Sequence, residues 1–423
     1  MEIMKTWLDE FCEKRLPHGD VEKLFRSCFM NTIETTVEFP EEGDTYVFTG
    51  DIPAMWLRDS SAQLIPYLNL AKEYKEIRAM FSGLLKRQFR YILLDPYANA
   101  FNKTANGHGH KDKTKQNDWV WERKYEIDSL CYPLWLACRY YNETKDSEPL
   151  GEPFIKALNT VLEVFETEQR HNERSDYSFI REGEYAQDTL PNNGKGDEIP
   201  YTGMTWSAFR PSDDRCVYNY LVPSNMFAVV TLRGVAALGK NIVPAAVAKR
   251  CVSLADEIDG GVTRFGTVNH PDFGKMYVYE TDGKGNNLLM DDANVPSLLS
   301  LPYIGYCKLD DPVYLNTRKF ILSEQNPYYF KGKCASGLGS PHTPKGYIWH
   351  IGLLLQGLTA RTKEEKREIL SALRATHAGT FFMHEGFDKD DPSRFTRPWF
   401  SWANSLFAAF IIENQADLAD LIA

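Results

Sequence analysis

Nearly apolar segments and amphipathic segments alternate along the chain. The apolar ones cover residues 51–68 (DIPAMWLRDSSAQLIPYL), 125–141, 210–232, 288–306, 345–358 and 397–412, and each mixes aromatic and polar or charged residues into its first turns before the apolar run takes over. A helix that is apolar around its whole circumference has to be buried on every side. Between these segments, residues 70–93, 152–169, 243–258, 313–325 and 363–376 place apolar side chains at three- and four-residue spacing with charges opposite, the pattern of a helix with one face in water. Six such alternations predict six helical hairpins closed into a ring, with the buried helices inside. The sixth outer helix comes from the N-terminus, over residues 3–14 or 21–37. The predicted fold is all-α, an (α/α)6 barrel with the acidic and aromatic helix starts gathered at one mouth. An open solenoid would need a repeat of fixed length, roughly 35 to 45 residues, and the spacing here varies too widely for that.

Composition narrows the picture. The chain has 423 residues and no Pro/Gly/Ser-rich linker, low-complexity tract or charge block at which to divide it, so one catalytic domain over residues 1–423 is expected. A formal net charge of −10 with scattered basic residues argues against a nucleic-acid partner. The eight cysteines, at 12, 28, 131, 138, 216, 251, 307 and 334, form no CxxC pair, which predicts buried thiols in a reducing compartment rather than a disulfide framework or zinc site. The N-terminal MEIMKTWLDEF lacks the apolar core of a signal peptide and no run reaches transmembrane length, so no membrane partner and a cytoplasmic location are expected. Aromatic residues make up 13% of the chain and many fall in loops beside Asp, Asn and Arg. Flat rings that pack on sugar C–H faces, next to groups that fork onto hydroxyls, suit a carbohydrate.

Candidate chemistry sits at the segment starts. Trp56, Arg58 and Asp59 crowd the first, where Asp59 is either a helix N-cap or a group that grips vicinal hydroxyls. The loop NGHGHKDKTKQNDWVW offers His108 and His110, but two histidines at i, i+2 without a third ligand do not make a metal site; no metal and no cofactor are expected, and His108 is a sugar-contact candidate. In TWSAFRPSDDR, Asp213 and Asp214 are adjacent carboxylates near Trp206, Phe209 and Arg210. Their mutual repulsion and desolvation predict a raised pKa on one of them, hence a proton donor, while Ser212 or Asp214 caps the following helix. His270, held out of helix by Pro271, and Asp292, at the start of the fourth inner segment, are further binding candidates. In MHEGFDKDDPSRFTRPW, Glu385 follows apolar residues, an unusual place for a surface glutamate, and Arg397 comes shortly after.

Taken together, WLRDSSAQLIPYL, FRPSDDRCVYNYLVPSNMF, HEGFD and RPWFSWANSLF resemble glycoside hydrolase family 125, the exo-α-1,6-mannosidases, and the resemblance runs essentially end to end. It implies an (α/α)6 barrel and inverting, metal-independent release of terminal mannose from an α-1,6-linked manno-oligosaccharide such as an N-glycan branch. It also implies that the general acid is the aspartate of the PSDD element, Asp213 or Asp214, and that the base is Glu385; the resemblance does not choose between the two aspartates, and Asp213 is favoured because Asp214 is left to the helix start and Arg215. The alternative, a sugar epimerase or isomerase on the same barrel, would recruit His270 with His350 or His384 as acid and base.

Overall fold

The structure is a computed structural model that describes residues 2–16 and 18–416. Nearly half of the chain is helical, and the two patterns in the sequence occupy different tiers. In the outer helix Lys363–Thr376 only Ile369, Leu370, Leu373 and Thr376 are buried, while Thr362 caps the start by accepting the Glu365 N–H. In the helix Ser401–Glu413 every residue from Ser401 to Ile411 is buried, and in Ile127–Thr144 every residue from Ile127 to Cys138 is. The buried helices are neighbours of one another: Ile127–Thr144 packs on Val222–Ala236, and His350–Leu358 on Ser401–Glu413. Each also backs onto an amphipathic partner, Val222–Ala236 on Ala245–Phe265 and His350–Leu358 on Lys363–Thr376. One connected cluster of buried apolar side chains runs from Met4 to Ile411.

Both N-terminal stretches are helical, Glu2–Arg15 and Asp20–Thr35. The second lies against Ser401–Glu413 and the first lies on the second. The seam between the second and the last helix is polar: Thr32 meets Ser405 at 2.8 Å, and Asn31 accepts from Ser401 at 2.8 Å and from Asn404 at 3.2 Å.

Two segments depart from the expected helices. Residues 51–68 give only a short α-helix, Leu57–Ala62, before a 3-10 stretch, Ile65–Lys72, that carries Pro66 at its start, because proline has no N–H to continue an α-helical ladder. Residues 288–306 are irregular as far as Ser300 and helical only over Leu301–Ile304. There the Asp291 carboxylate accepts the Leu298 and Leu299 N–H groups at 2.8 and 2.9 Å, Ser297 and Ser300 bond each other's backbone, and Pro296 has no N–H. Side chains take the donors a helix would have used.

The all-helical expectation also omitted short antiparallel ladders, whose strands of two to four residues are too brief to show alternation. Met55–Trp56, Tyr220–Leu221 and Tyr347–Trp349 each run straight into a buried helix, and they pair with Ala100–Phe101, Glu280–Thr281 and Gly386–Asp388 respectively. These ladders clamp the helix starts and the loops that carry the polar residues.

The polar seam makes a stability prediction. Asn404 accepts the Met383 N–H at 2.8 Å and donates to Asn31 and to the Phe400 carbonyl. Replacing it with alanine orphans buried groups on three segments, and urea unfolding of Asn404→Ala is expected to show a loss of about 2–3 kcal/mol; a loss under about 0.5 kcal/mol would mean the seam is not load-sharing.

Candidate active site

The starts of the buried helices and the last loop surround one cavity of about 300 Å³. Thr49, Ile52, Trp56, Arg58 and Asp59 line it from the first segment, Pro211, Ser212 and Asp213 from the following turn, and Asn294, His342 and Trp349 from the middle of the chain. Glu385, Arg397, Phe400 and Trp402 complete the wall.

Arg58 is its electrostatic centre. Its guanidinium is buried and sits among four carboxyls: Nη1 donates to Glu126 at 2.6 Å and to Asp128 at 3.0 Å, Nη2 reaches Asp213 at 3.4 Å, and Nε stands 3.5 Å from Asp59. One cation does not neutralise four anions. Burial raises Asp59, Glu126 and Asp128 despite the pull of Arg58, Glu126 well above the carboxylate range and Asp128 to about 6. Asp59 lies inside the Leu57–Ala62 helix, whose N-cap is Trp56 without a side-chain cap bond, so the capping reading of Asp59 fails.

The turn from Arg210 to Asp214 separates the two adjacent aspartates. Asp213 occupies the left-handed region at φ 67°, uncommon for a non-glycine residue and costly unless the surroundings enforce it. Its N–H donates to Arg210 O at 2.9 Å, its own carbonyl accepts from Lys124 Nζ at 2.7 Å, and Arg210 N–H donates to Asp214 O at 2.8 Å. This conformation points Asp213 at the cavity, with its side chain 28% exposed, and turns Asp214 inward at 2%. Burial pushes the Asp213 carboxyl up, but Arg58 and Lys124 outweigh it and hold it below the usual range. The expected rise on this aspartate is therefore reversed, because the cations of Arg58 and Lys124 were invisible in the local sequence. Asp214 starts no helix, since the next one begins at Val222. It stands 2.9 Å from His342 Nδ1 instead, and His342 is raised to about 9: burial opposes its charge, and the Asp214 bond and charge more than offset that.

Across the cavity, Glu385 precedes the strand Gly386–Asp388, which pairs with Tyr347–Trp349. Gly386 packs closely there, and a Cβ on it would come within 3.1 Å of the Trp349 ring. Arg397, also in the left-handed region at φ 48°, lies 3.7 Å from Glu385 and donates from Nε to Asp51 at 3.0 Å, while Asp51 N–H bonds Trp399 O. The first and last loops thus hold one wall together.

Comparison with known proteins identifies the family. The profile of the metal-independent α-mannosidases of glycoside hydrolase family 125 matches residues 18–412. The chain belongs to that family. It is 40% identical to the meiotically up-regulated gene 157 protein of Schizosaccharomyces pombe, over 96% of this chain and 84% of that one. It is 48% identical to a Streptococcus pneumoniae metal-independent α-mannosidase solved in a non-productive complex with α-1,6-mannobiose, with a TM-score of 0.96 over 98% of both chains. A bacterial glucoamylase solved with acarbose shares the fold at a TM-score of 0.58 and 12% identity, covering 98% of this chain and 60% of that one.

In this mannosidase, Trp56, Arg58, Asp59, Asp213, Glu385 and Arg397 meet at the cavity with Ser212 beside Asp213, and the other binding candidates from the sequence lie elsewhere. His108 is exposed on its loop, and His270 packs on Phe273 and Phe320. Trp206 is buried against His171 and Tyr125, so it does not desolvate the aspartates from the cavity side. Arg210 pairs with Glu280 at 2.6 Å and Asp292 accepts from Ser212 at 2.6 Å, so both brace the 210–214 turn from behind. The His350 ring bonds the His384 backbone under the wall, the His384 ring contacts Thr380 instead, and the only histidine lining the cavity among the described residues is His342. An epimerase's histidine pair is not assembled. His342 itself went unnoticed in the sequence because its partner is 128 positions away.

His342 gives a measurable consequence. Its folded-state pKa lies above the unfolded one, so the ion pair with Asp214 stabilises fully below about pH 6.5 and is lost as pH rises through about 9. Proton NMR should find its imidazole midpoint near 9, dropping towards the ordinary histidine value in Asp214→Asn. A wild-type midpoint at or below 6.5 would show that the pair does not form.

Proposed function

We propose that this mannosidase is an inverting, exo-acting α-1,6-mannosidase, a single catalytic domain over residues 1–423 folded as an (α/α)6 barrel. The observation that carries the reading is the shared cavity: two carboxyls from distant segments, Asp213 and Glu385, face one aromatic-walled space of about 300 Å³, at the small end of ligand pockets and suited to one sugar ring. Asp213 is the general acid and Glu385 the general base. Asp213 gives a proton to the glycosidic oxygen as the C1–O bond breaks, and Glu385 takes a proton from the water that attacks C1 from the opposite face. Room for that water calls for a carboxyl separation of roughly 6.5–9.5 Å, against about 5 Å in a retaining enzyme.

Trp56, Asp59 and Arg397 hold the terminal mannose. The indole N–H of Trp56 is buried without a protein partner, and a sugar hydroxyl would satisfy it. Arg58, enclosed by carboxyls, orients the acid. The α-1,6 linkage and N-glycan branches as natural substrates are inferred from the streptococcal relative, whose description names α-1,6-mannobiose and the processing of N-linked glycans. The eight free cysteines fit a reducing, cytoplasmic location, and no helix among the described residues is long and apolar enough to cross a membrane.

With α-1,6-mannobiose as substrate, time-resolved proton NMR is expected to show β-mannose as the first product; α-mannose first would make the enzyme retaining. Glu385→Gln should lower kcat by about 10²- to 10⁴-fold with little change in KM, and a variant that keeps a tenth or more of wild-type kcat would remove Glu385 from the base role. Turnover should survive EDTA, since the cation at the centre of the acidic cluster is Arg58; restoration of a lost activity by calcium or zinc would overturn this.

A further inference from the structure

Two carboxyls around Arg58, Glu126 and Asp128, have no part in the steps above, and each has one buried oxygen without a hydrogen-bond partner. Glu126 is 1% exposed. Its Oε2 accepts both from Arg58 Nη1 at 2.6 Å and from the Ser129 hydroxyl at 2.7 Å, while its Oε1 is buried with no hydrogen-bond partner. On the same guanidinium, Nη2 reaches Asp213. Three carboxyls thus share the two terminal nitrogens of one arginine, Glu126 and Asp128 sealed in the protein and Asp213 facing the cavity. Glu126 and Asp213 are coupled across that guanidinium, each shifting the other's titration.

The charges that face this pair come from every neighbouring element: Arg58 and Asp59 from the first helix, Lys124 and Asp128 on either side of Glu126, the Cys216 thiol, and His342 across the cavity. Arg58 and Lys124 favour ionised Asp213, whereas a charge on Glu126 would leave one buried oxygen unsolvated and face its neighbours Asp128 and Asp213. Asp128 shares the orphaned oxygen but is raised less, to about 6, so a proton in this cluster rests on Glu126, and the acid that must donate is ionised in the free enzyme. A donor in that state has to be charged before it can act.

We propose that Glu126 is a positioning residue that stores the catalytic proton, the Glu126–Asp213 pair holding one proton that rests on Glu126 in the free enzyme and passes to Asp213 when a glycosidic oxygen enters the site. This rests on the reading of Asp213 as the general acid. The proton leaves the Glu126 carboxyl and binds the Asp213 carboxylate. Asp213 hands it to the glycosidic oxygen as C1–O breaks, the attacking water bonds to C1, and its proton goes to Glu385. After product leaves, Glu385 releases that proton to solvent and the pair regains one through Asp213, the member that reaches the cavity. Only water is consumed.

The test compares pH profiles of kcat/KM on two substrates: α-1,6-mannobiose, whose leaving sugar needs the proton, and 2,4-dinitrophenyl α-mannoside, whose phenolate leaves without one. In Glu126→Gln, Asp213 titrates alone beside Arg58 and Lys124. The alkaline limb on mannobiose should move down by about one pH unit or more, a loss of about tenfold or more at pH 7, while the aryl mannoside changes less than about threefold. An unmoved alkaline limb, or equal losses on both substrates, overturns the proposal. Ser129→Ala keeps every carboxyl and removes only a donor to ionised Glu126, so its alkaline limb should move up; it decides the matter if Glu126→Gln does not fold, and an unmoved limb there also overturns it. Asp213→Asn separates the two ideas. Selective loss on mannobiose in Asp213→Asn beside a Glu126→Gln without selectivity sinks the proton store alone, whereas equal losses on both substrates in Asp213→Asn remove Asp213 as the acid and the proposal with it.

Discussion

A single buried guanidinium fixes the electrostatics of this protein's centre. Taking several carboxyls out of water costs several kcal/mol for each ion, and the cost is tolerable only because Arg58 lies within hydrogen-bonding or ion-pair distance of Asp59, Glu126, Asp128 and Asp213 at once. The planar fork of arginine is what makes this arrangement possible, since it presents separate donors to separate partners; a lysine would offer one point of charge. Because one cation serves four acids, the cluster must also hold protons. The arginine thus sets the protonation pattern as well as the geometry.

The backbone is shaped around the same demand. Asp213 reaches the cavity only from a left-handed conformation, which is held by bonds to Arg210, Lys124 and, through the side-chain pairs, Glu280 and Asp292. Arg397 does the same on the facing wall. Strain at two lining residues, enforced by braces that touch no substrate, is how a rigid scaffold aims groups that the default backbone would turn away.

Much of this was legible because helix burial writes itself into periodicity. The contrast between 401–411, buried throughout, and 363–376, buried on one face, is already visible as a contrast between unbroken and stripe-like apolar patterns. The convergence of 56–59, 211–213, 385 and 397 was legible too, through motifs rather than physics. What escaped depends on partners distant in sequence. The sign of the Asp213 shift is set by Arg58, 155 positions away, and the state of His342 by Asp214. Segment 288–306 looked helical by composition, but serine and aspartate side chains that claim backbone donors leave no periodic trace. Glu126 read as one more polar residue ahead of an apolar run.

The joining of the first and last loops carries a consequence for biogenesis. Asp51 bonds Trp399 and Arg397, and the helix Asp20–Thr35 docks on Ser401–Glu413, so the wall opposite Asp213 exists only when both ends of the chain are in place. During synthesis the acidic cluster is translated long before residues 397–413, so the cavity stays open on one side until these have emerged, and a chain cut short before Arg397 lacks that wall.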